Sequence, residues 1–240
     1  MRAGAGKSLR SGRLRPIVSF APSSRVKLTP RTAQHFQGET LFDRIGRTVC
    51  EADCLPRKEL YESWELARRT RRRFRGGRVV DLACGHGLIA HLMLLLDDTS
   101  PTALAVDTRL PPSAEKLAAA LTREWPRLVG RVTLEECAIS DVVIHAGDVV
   151  VSAHACGALT DEVLSRAIAA RARVVVLPCC HEKATCDRGG VDGWVDAPLA
   201  IDMTRAARLR AHEYAVYTQL IPDTITPKNR LLMAEPRDVS

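Results

Sequence analysis

The sequence has no long apolar run. A helix that crosses a bilayer needs roughly 18 to 20 consecutive apolar residues, and the longest candidate is the short run 88–96. The start of the chain also lacks the apolar core of a secretory signal. We therefore expect a cytoplasmic protein with no membrane partner, and the sequence leaves the oligomeric state open.

Acidic residues are missing from the first 36 positions, which contain eight Lys and Arg. The other positions have 27 bases against 28 acids, so they are nearly neutral. A basic stretch rich in Ser, Pro and Gly buries too little apolar area to offset its ordering entropy. We predict that 1–36 is a disordered tail, although this composition also fits an organelle transit peptide or an arm that contacts nucleic-acid phosphates.

The residues after the tail predict a helical segment, 37–77, that packs on a domain formed by 78–240. Its helix is expected to begin after Pro56 and to end at the two glycines before residue 78. Six arginines occupy its last turns: Arg68, Arg69, Arg71, Arg72, Arg73 and Arg75. They are either a solvated helix face or a basic rim that contacts RNA.

From residue 78, short β-branched runs alternate with helical stretches, the pattern of a parallel sheet covered on both faces. We predict seven strands, at 79–82, 103–106, 132–137, 149–153, 174–177, 214–220 and 231–233. Helices are expected at 88–96, 113–125 and 161–170. No helix fits between the last two strands, so they should form an antiparallel hairpin at one edge. The predicted fold class is α/β, with a doubly wound, mostly parallel sheet of seven strands and an antiparallel last strand.

Residues 79–88 join an apolar strand to an acid and a Gly-x-Gly turn that opens a helix. Without Cβ atoms, Gly85 and Gly87 let the backbone turn tightly and approach a ligand, and the helix start offers free N–H groups. This motif predicts a nucleoside cofactor, with Asp81, Ala83, Gly85 and Gly87 in its site.

Two later positions extend this cofactor site. Asp107 ends the second strand, 20 residues after Gly87, where a carboxylate can accept hydrogen bonds from both ribose hydroxyls. Ile139 follows the third strand, and its position in the order of elements suggests that it flanks the adenine ring.

The cofactor could be S-adenosylmethionine (SAM) or a dinucleotide such as NAD or FAD, because Gly85, Gly87 and Ala90 also fit the dinucleotide fingerprint. Asp81 favours SAM, since it places a carboxylate near the cationic amino group of the methionine portion. The reversed hairpin favours SAM as well, because dinucleotide-binding sheets normally stay parallel to the last strand.

Three segments together resemble one family of methyltransferase domains: 81–87 (DLACGHG), 152–161 (SAHACGALTD) and 177–181 (LPCCH). This family includes the methyltransferase half of the glutathione S-transferase C-terminal domain-containing protein, other methyltransferase-like proteins and, more distantly, the enzyme that methylates a ribose in the tRNA acceptor stem. The resemblance covers about 56–234 and implies a class I SAM-dependent methyltransferase. The chain lacks the zinc fingers of the tRNA enzyme and the glutathione-transferase-like extension, so the resemblance does not name the substrate.

The fourth strand leads to His154 and Cys156 at the carboxyl edge, where open α/β sheets bind ligands. His154 has a pKa suited to a general base, which is needed only if the methyl acceptor must lose a proton. An equally simple interpretation is that His154 holds the loop before the next helix. Cys156 is expected to be structural or to lie on the acceptor side.

Lys58, Tyr61, Cys179 and Arg230 are further candidates for the acceptor side. Lys58 and Tyr61 open the helix before the first strand, and Arg230 lies near the end of the hairpin, so these groups either close over the acceptor or pair with each other at the surface. Cys179 and Cys180 are expected to line the cleft as small apolar residues.

A metal site is not expected from the cysteine spacing. Cys179, Cys180, His181 and Cys186 do not match the paired C-x2-C spacing of zinc sites. The sequence thus predicts methyl transfer from SAM to an oxygen or nitrogen acceptor, with RNA as one candidate acceptor. Two alternatives stay open: a non-catalytic module that binds a nucleoside or nucleic acid, and an NAD-dependent oxidoreductase.

Overall fold

The computed structural model describes residues 20–153 and 155–237 and contains one seven-stranded sheet. In chain order the strands are β1 (Val79–Leu82), β2 (Ala103–Asp107), β3 (Val132–Glu136), β4 (Val149–Ser152), β5 (Arg173–Val176), β6 (Tyr214–Leu220) and β7 (Arg230–Pro236). In space their order is β3-β2-β1-β4-β5-β7-β6. Strand β7 pairs antiparallel with both β5 and β6, while the pairs among β1 to β5 are parallel. The predicted fold class is confirmed.

In the described part of the chain, six α-helices accompany this sheet: α1 (Leu41–Ala52), α2 (Arg57–Arg73), α3 (Leu88–Leu95), α4 (Ala114–Glu124), α5 (Ala158–Ala170) and α6 (Ala197–Ala211). Successive strand residues point to opposite faces, and both faces are buried along the central strands β1 and β4. Val79 belongs to the apolar cluster that contains α1 to α4 residues, and Val80 to the cluster that contains α5 residues and Leu209 of α6. Helix α6 was not predicted. Asp196 caps it, accepting a 2.7 Å hydrogen bond from the Leu199 N–H.

Residues 20–36 correct the predicted extent of the tail. Leu28 and Phe36 are buried in the core next to α1 and α2, and the Leu28 N–H donates a 2.8 Å hydrogen bond to the Leu55 carbonyl. The aromatic rings of Phe20 and His35 stack at 3.9 Å. These side chains bury enough apolar area to order a basic stretch whose composition suggested disorder. Positions 1–19 of the predicted tail lie outside the described residues.

The segment 37–77 consists of two helices. Helix α1 ends at Ala52, and the next residue, Asp53, adopts a left-handed backbone conformation with φ of 49°. Helix α2 begins directly after Pro56, as predicted, because proline fixes an extended approach and cannot continue a preceding helix.

The arginines at the end of α2 do not form one free basic rim. Arg71 is buried and pairs with Asp97 at 3.1 Å. Arg68 and Arg69 both bind Glu65, and others are held elsewhere: Arg75 pairs with Asp97, and Arg73 lies over the Tyr217 ring. Arg72 is exposed. Arg71 therefore lies neither on a solvated helix face nor on a basic rim. Most of the other charges already have protein partners.

Among the described residues, we find no helix with the length and apolar character that crossing a bilayer requires.

Candidate active site

The loop between β1 and α3 is a cradle of left-handed backbone. Gly85 and Gly87 have φ of 55° and 71°, and Ala83 has φ of 56°. A Cβ on Gly87 would lie 2.7 Å from Cδ2 of Leu134, so this glycine allows the close approach of the loop to β3. A Cβ on Gly85 would meet no described atom within 4 Å. The backbone at Gly85 therefore faces open space that a ligand can fill.

Asp81 lies beneath this loop and is fully buried. Its Oδ2 accepts a 3.2 Å hydrogen bond from the Ala90 N–H, in the first turn of α3. Its Oδ1 has no hydrogen-bond partner among the described residues. An unpaired buried oxygen is costly, and it marks a place where a donor from a ligand would fit.

Asp107 ends β2 beside the same loop. Its Oδ2 accepts a 2.9 Å hydrogen bond from the Gly85 N–H, and its backbone carbonyl accepts one from the Cys137 N–H at 3.1 Å. Because β1 and β2 are parallel neighbours, the acid at the end of one strand reaches the turn after the other. The structure thus brings the predicted cofactor residues Asp81, Gly85 and Asp107 to one place.

Three carboxylates surround this loop. Burial above all, together with the negative charges of Asp107 and Glu59, raises the pKa of Asp81 to about 8, although the hydrogen bond from the Ala90 N–H lowers it. Glu59, in the first turn of α2, lies 3.7 Å from Nδ1 of His86 in the glycine turn. The other ring nitrogen of His86 lies 3.0 Å from Oγ of Ser113. A cationic ligand would favour the ionised form of Asp81 beside the other two carboxylates.

The role of Glu59 and His86 in joining α2 to the loop was not predicted. The acidic residue at the start of α2 was visible in the sequence, but its distance along the chain from the glycine turn hid the contact. Glu59 is also part of the wall of a cavity of about 380 Å³, together with Lys58, Cys179, Cys180 and Lys228. This cavity adjoins the glycine loop, because one of its wall residues, Glu59, also contacts His86 of that loop.

The segment after β4 contacts the segment after β5, which carries the cavity residues Cys179 and Cys180. The Gly157 N–H donates a 3.2 Å hydrogen bond to the Cys180 carbonyl, and a Cβ on Gly157 would lie 2.9 Å from Oε2 of Glu182. Cys156 reaches Cys179, with 3.2 Å between the sulfur atoms. The predicted candidates Cys156 and Cys179 are therefore neighbours. His154 lies outside the described residues, so its catalytic role stays a prediction.

Arg230 does not face the same cavity as Lys58 and Cys179. Its Nε donates a 2.6 Å hydrogen bond to Oδ2 of Asp202 in α6, whose Oδ1 pairs with Nε2 of His181 at 2.8 Å. Burial raises the pKa of Asp202, but the hydrogen bonds from His181 and Arg230 outweigh it and hold this pKa below its usual value. The network fixes the chain just after Cys180. It was missed because α6, which carries Asp202, was not predicted.

The remaining candidates have simpler surroundings. Lys58 forms an ion pair with Glu62 at 2.6 Å, one turn further along α2. Tyr61 packs edge to face on Phe42, with ring centroids 5.1 Å apart. Ile139 is 5% exposed and begins a short 3-10 helix after β3, against the apolar cluster that includes Val106. Lys58 and Arg230 thus pair within their own surroundings and not with each other.

The fold and the glycine cradle define a class I methyltransferase domain. The sequence profile of a family described as a methyltransferase domain matches residues 58–187, which is more than half of the chain. The chain therefore belongs to this family of methyltransferase domains. No curated protein is similar enough in sequence to match the chain.

Solved structures with the same fold include two methyltransferases. An O-methyltransferase family protein from Burkholderia thailandensis aligns with 17% identity and a TM-score of 0.52, covering 89% of this chain and 64% of its own. The m1A22 tRNA methyltransferase TrmK from B. subtilis aligns with 13% identity and a TM-score of 0.50, covering 72% of this chain and 66% of its own. The chain thus spans just under two thirds of either protein, and identity this low supports the shared fold alone.

Proposed function

We propose that this protein transfers a methyl group from SAM to an oxygen or nitrogen acceptor. The observation that carries the proposal is the set of three carboxylates, Asp81, Asp107 and Glu59, around the glycine loop. SAM has a sulfonium and an ammonium group, and both positive charges are stabilised by nearby carboxylates. The pyrophosphate of NAD or FAD would instead be repelled, so we favour SAM over a dinucleotide.

The residues of the cradle fit such a ligand at each of its parts. The unpaired Oδ1 of Asp81 can accept a hydrogen bond from the ammonium group. The open space over Gly85 leaves room for the backbone to contact the ligand. Asp107 can accept hydrogen bonds from the ribose hydroxyls, and Ile139 offers an apolar surface at the place proposed for adenine. Ala83 and Gly87 shape the loop.

When bound, SAM supplies an electrophilic methyl group, and the main contribution of the protein is alignment of donor and acceptor. Glu59 connects the cofactor loop to the cavity walled by Lys58, Cys179 and Lys228. We infer that the acceptor atom enters through this cavity. A proton that the acceptor must release would go to a base at the same edge, and His154 remains our candidate for it.

RNA is the acceptor class that we would test first. Positions 1–36 carry eight Lys and Arg without an acid, and basic segments of this kind attract nucleic-acid phosphates in a salt-dependent manner. The TrmK protein, which shares the fold, is named as a tRNA methyltransferase. Against this, most arginines at the end of α2 are already paired, so RNA contact would depend on the N-terminal positions.

The test is calorimetric titration with SAM, S-adenosylhomocysteine and NAD, followed by transfer of labelled methyl groups from SAM to total RNA. We expect both adenosyl ligands to bind, NAD not to bind, and label to appear in RNA. Binding without transfer to RNA, protein or small-molecule extracts would support the non-catalytic module. Binding of NAD alone would support the oxidoreductase and contradict the proposal.

Two glycine variants make the cofactor test specific. Gly85→Ala and Gly130→Ala both place a Cβ on a left-handed residue, with φ of 55° and 71°, where no described atom lies within 4 Å. Each substitution should therefore lower the free energy of unfolding by a similar amount, about 1 to 2 kcal/mol. Only Gly85→Ala should weaken binding of S-adenosylhomocysteine, because its Cβ occupies the ligand space. Equal affinities for the two variants would remove the glycine cradle from the proposed site.

A further inference from the structure

Three cysteine sulfurs meet at the carboxyl edge of the sheet. Sγ of Cys179 lies 3.2 Å from Sγ of Cys156 and 3.8 Å from Sγ of Cys180. All three atoms lie within 4.8 Å of one another. Cys156 comes from the segment after β4, and the other two follow β5, so tertiary structure alone brings the set together.

These spacings match the needs of a tetrahedral thiolate site. Zinc binds thiolate sulfur at about 2.3 Å, which places two sulfurs of one tetrahedron about 3.8 Å apart. The Cys179 and Cys180 sulfurs already have this separation, and the Cys156 sulfur needs to move away from that of Cys179 by only about 0.6 Å. A disulfide between Cys156 and Cys179 would instead require an approach of more than about 1 Å, to roughly 2.05 Å.

The loops that carry the sulfurs are held from outside the cluster. Gly157 and Cys180 share a backbone hydrogen bond of 3.2 Å. Arg205 donates a 2.9 Å hydrogen bond to the Gly157 carbonyl, and His181 is fixed by Asp202. Such supporting contacts pre-orient metal ligands and raise affinity.

The charge around the three cysteines and their exposure to solvent also suit a metal ion. A divalent ion with three thiolates has a net charge of −1, and Nζ of Lys228 lies 3.9 Å from Sγ of Cys180, close enough to offset it. Cys156 and Cys180 are exposed, so an ion can enter from solvent.

We propose that Cys156, Cys179 and Cys180 form a three-thiolate site for a soft or borderline divalent ion, with zinc as the best fit. Each thiol releases its proton to solvent when it binds the ion. Three protein ligands leave one tetrahedral position free, the pattern of zinc sites that bind a substrate or water. Because Cys179 and Cys180 wall the cavity of about 380 Å³, that position would open toward it.

This site differs from the cysteine set weighed in the sequence. His181 is occupied by Asp202, and Cys186 is contacted by Arg205 at 3.7 Å. The spacing argument against a metal used those two residues and omitted Cys156, which is 23 positions before Cys179. The proposal does not depend on the cofactor or on methyl transfer.

The experiment is titration of the reduced, anaerobic full chain with Co²⁺, followed by displacement with Zn²⁺. We expect one ion per chain, an intense sulfur-to-cobalt charge-transfer absorption, and loss of three reactive thiols on zinc binding. Zinc binding should weaken at least about tenfold in each of the variants Cys156→Ser, Cys179→Ser and Cys180→Ser. Removing a residue that only supports a metal ligand already lowers affinity about 10- to 100-fold, so removing a ligand should cost at least the lower value.

Cys54→Ser is the matched control, because Cys54 is a partly buried free cysteine outside the cluster. It should bind like the unaltered chain, and thermal unfolding should show that all four variants are folded. Equal zinc affinity in all four variants, or binding without charge-transfer absorption, would overturn the proposal. So would formation of a Cys156–Cys179 disulfide on exposure to oxidised glutathione at the same rate with and without zinc.

Discussion

The N–H of Gly85 donates a 2.9 Å hydrogen bond to Oδ2 of Asp107, which ties the turn after β1 to the end of β2. In the proposed cofactor site the carboxylate thus has two tasks: it holds the loop in its ligand-binding shape and accepts hydrogen bonds from the ribose hydroxyls. Both tasks depend on the same parallel pairing of β1 with β2.

Asp107→Ala should weaken binding of S-adenosylhomocysteine about 10- to 100-fold. Hydrogen bonds to a charged group contribute roughly 1.5 to 3 kcal/mol, and every 1.4 kcal/mol changes affinity about tenfold. Calorimetric titration measures the change. Asp187→Ala is the control, since Asp187 also accepts a 2.8 Å hydrogen bond from a glycine N–H, that of Gly189, in a different loop. Equal effects of the two substitutions would mean that Asp107 is not a cofactor ligand.

Asp81 should make the ligand-free protein less stable as pH rises. Its pKa in the folded chain is about 8, against an ordinary value of 3.8, so between these values the folded state binds a proton that the unfolded state has released. Stability must then fall as pH rises through that window. Asp81→Asn removes the titration and keeps the shape.

Denaturant unfolding of both proteins at pH 5 and pH 9 tests this prediction. We expect the free energy of unfolding of the Asp81→Asn variant, relative to the unaltered chain, to increase at the higher pH. An unchanged difference between the two proteins would show that Asp81 titrates at its ordinary pKa.

Cofactor binding should release a proton from Asp81 near neutral pH. The ammonium group of S-adenosylhomocysteine favours the ionised carboxylate, whereas the ligand-free protein keeps Asp81 protonated below a pH of about 8. Titration at pH 7 in two buffers of different ionisation enthalpy measures the protons released. We expect the unaltered chain to release more protons on binding than the Asp81→Asn variant, which lacks the titrating carboxyl. Equal numbers of released protons in the two proteins would mean that the ammonium group of the ligand does not contact Asp81.

Arg71 should be essential for stability although it lies in an arginine-rich helix end. It is buried and contacts Asp97, the Met93 carbonyl and Oγ of Ser100. Breaking a buried ion pair by removing one partner costs about 3 to 5 kcal/mol, because the other charge stays buried.

Arg71→Leu should therefore lower the free energy of unfolding by about that amount, while Arg72→Leu, at the exposed neighbouring position, should leave it nearly unchanged. Urea unfolding followed by circular dichroism compares the two. A similar loss in both would mean that general helix propensity, and not the Asp97 pair, explains the effect.

The sequence by itself determined the local features of this protein. The start of α2 after Pro56, the Gly-x-Gly turn before α3 and the absence of a helix between β6 and β7 all follow from short-range backbone preferences. Strands with buried residues on both faces read as continuous apolar runs. These signals were enough to predict the sheet, and they singled out Asp81, Gly85 and Asp107, which the structure brings together at one loop.

Tertiary structure decided which distant residues meet. It buried Arg71 while leaving Arg72 exposed, ordered residues 20–36 around Leu28 and Phe36, and placed Glu59 beside His86. It also brought Cys156 to Cys179 through the neighbouring parallel strands β4 and β5. Such contacts depend on strand order and on the packing of helices against the sheet. Neither can be predicted from the spacing of residues along the chain.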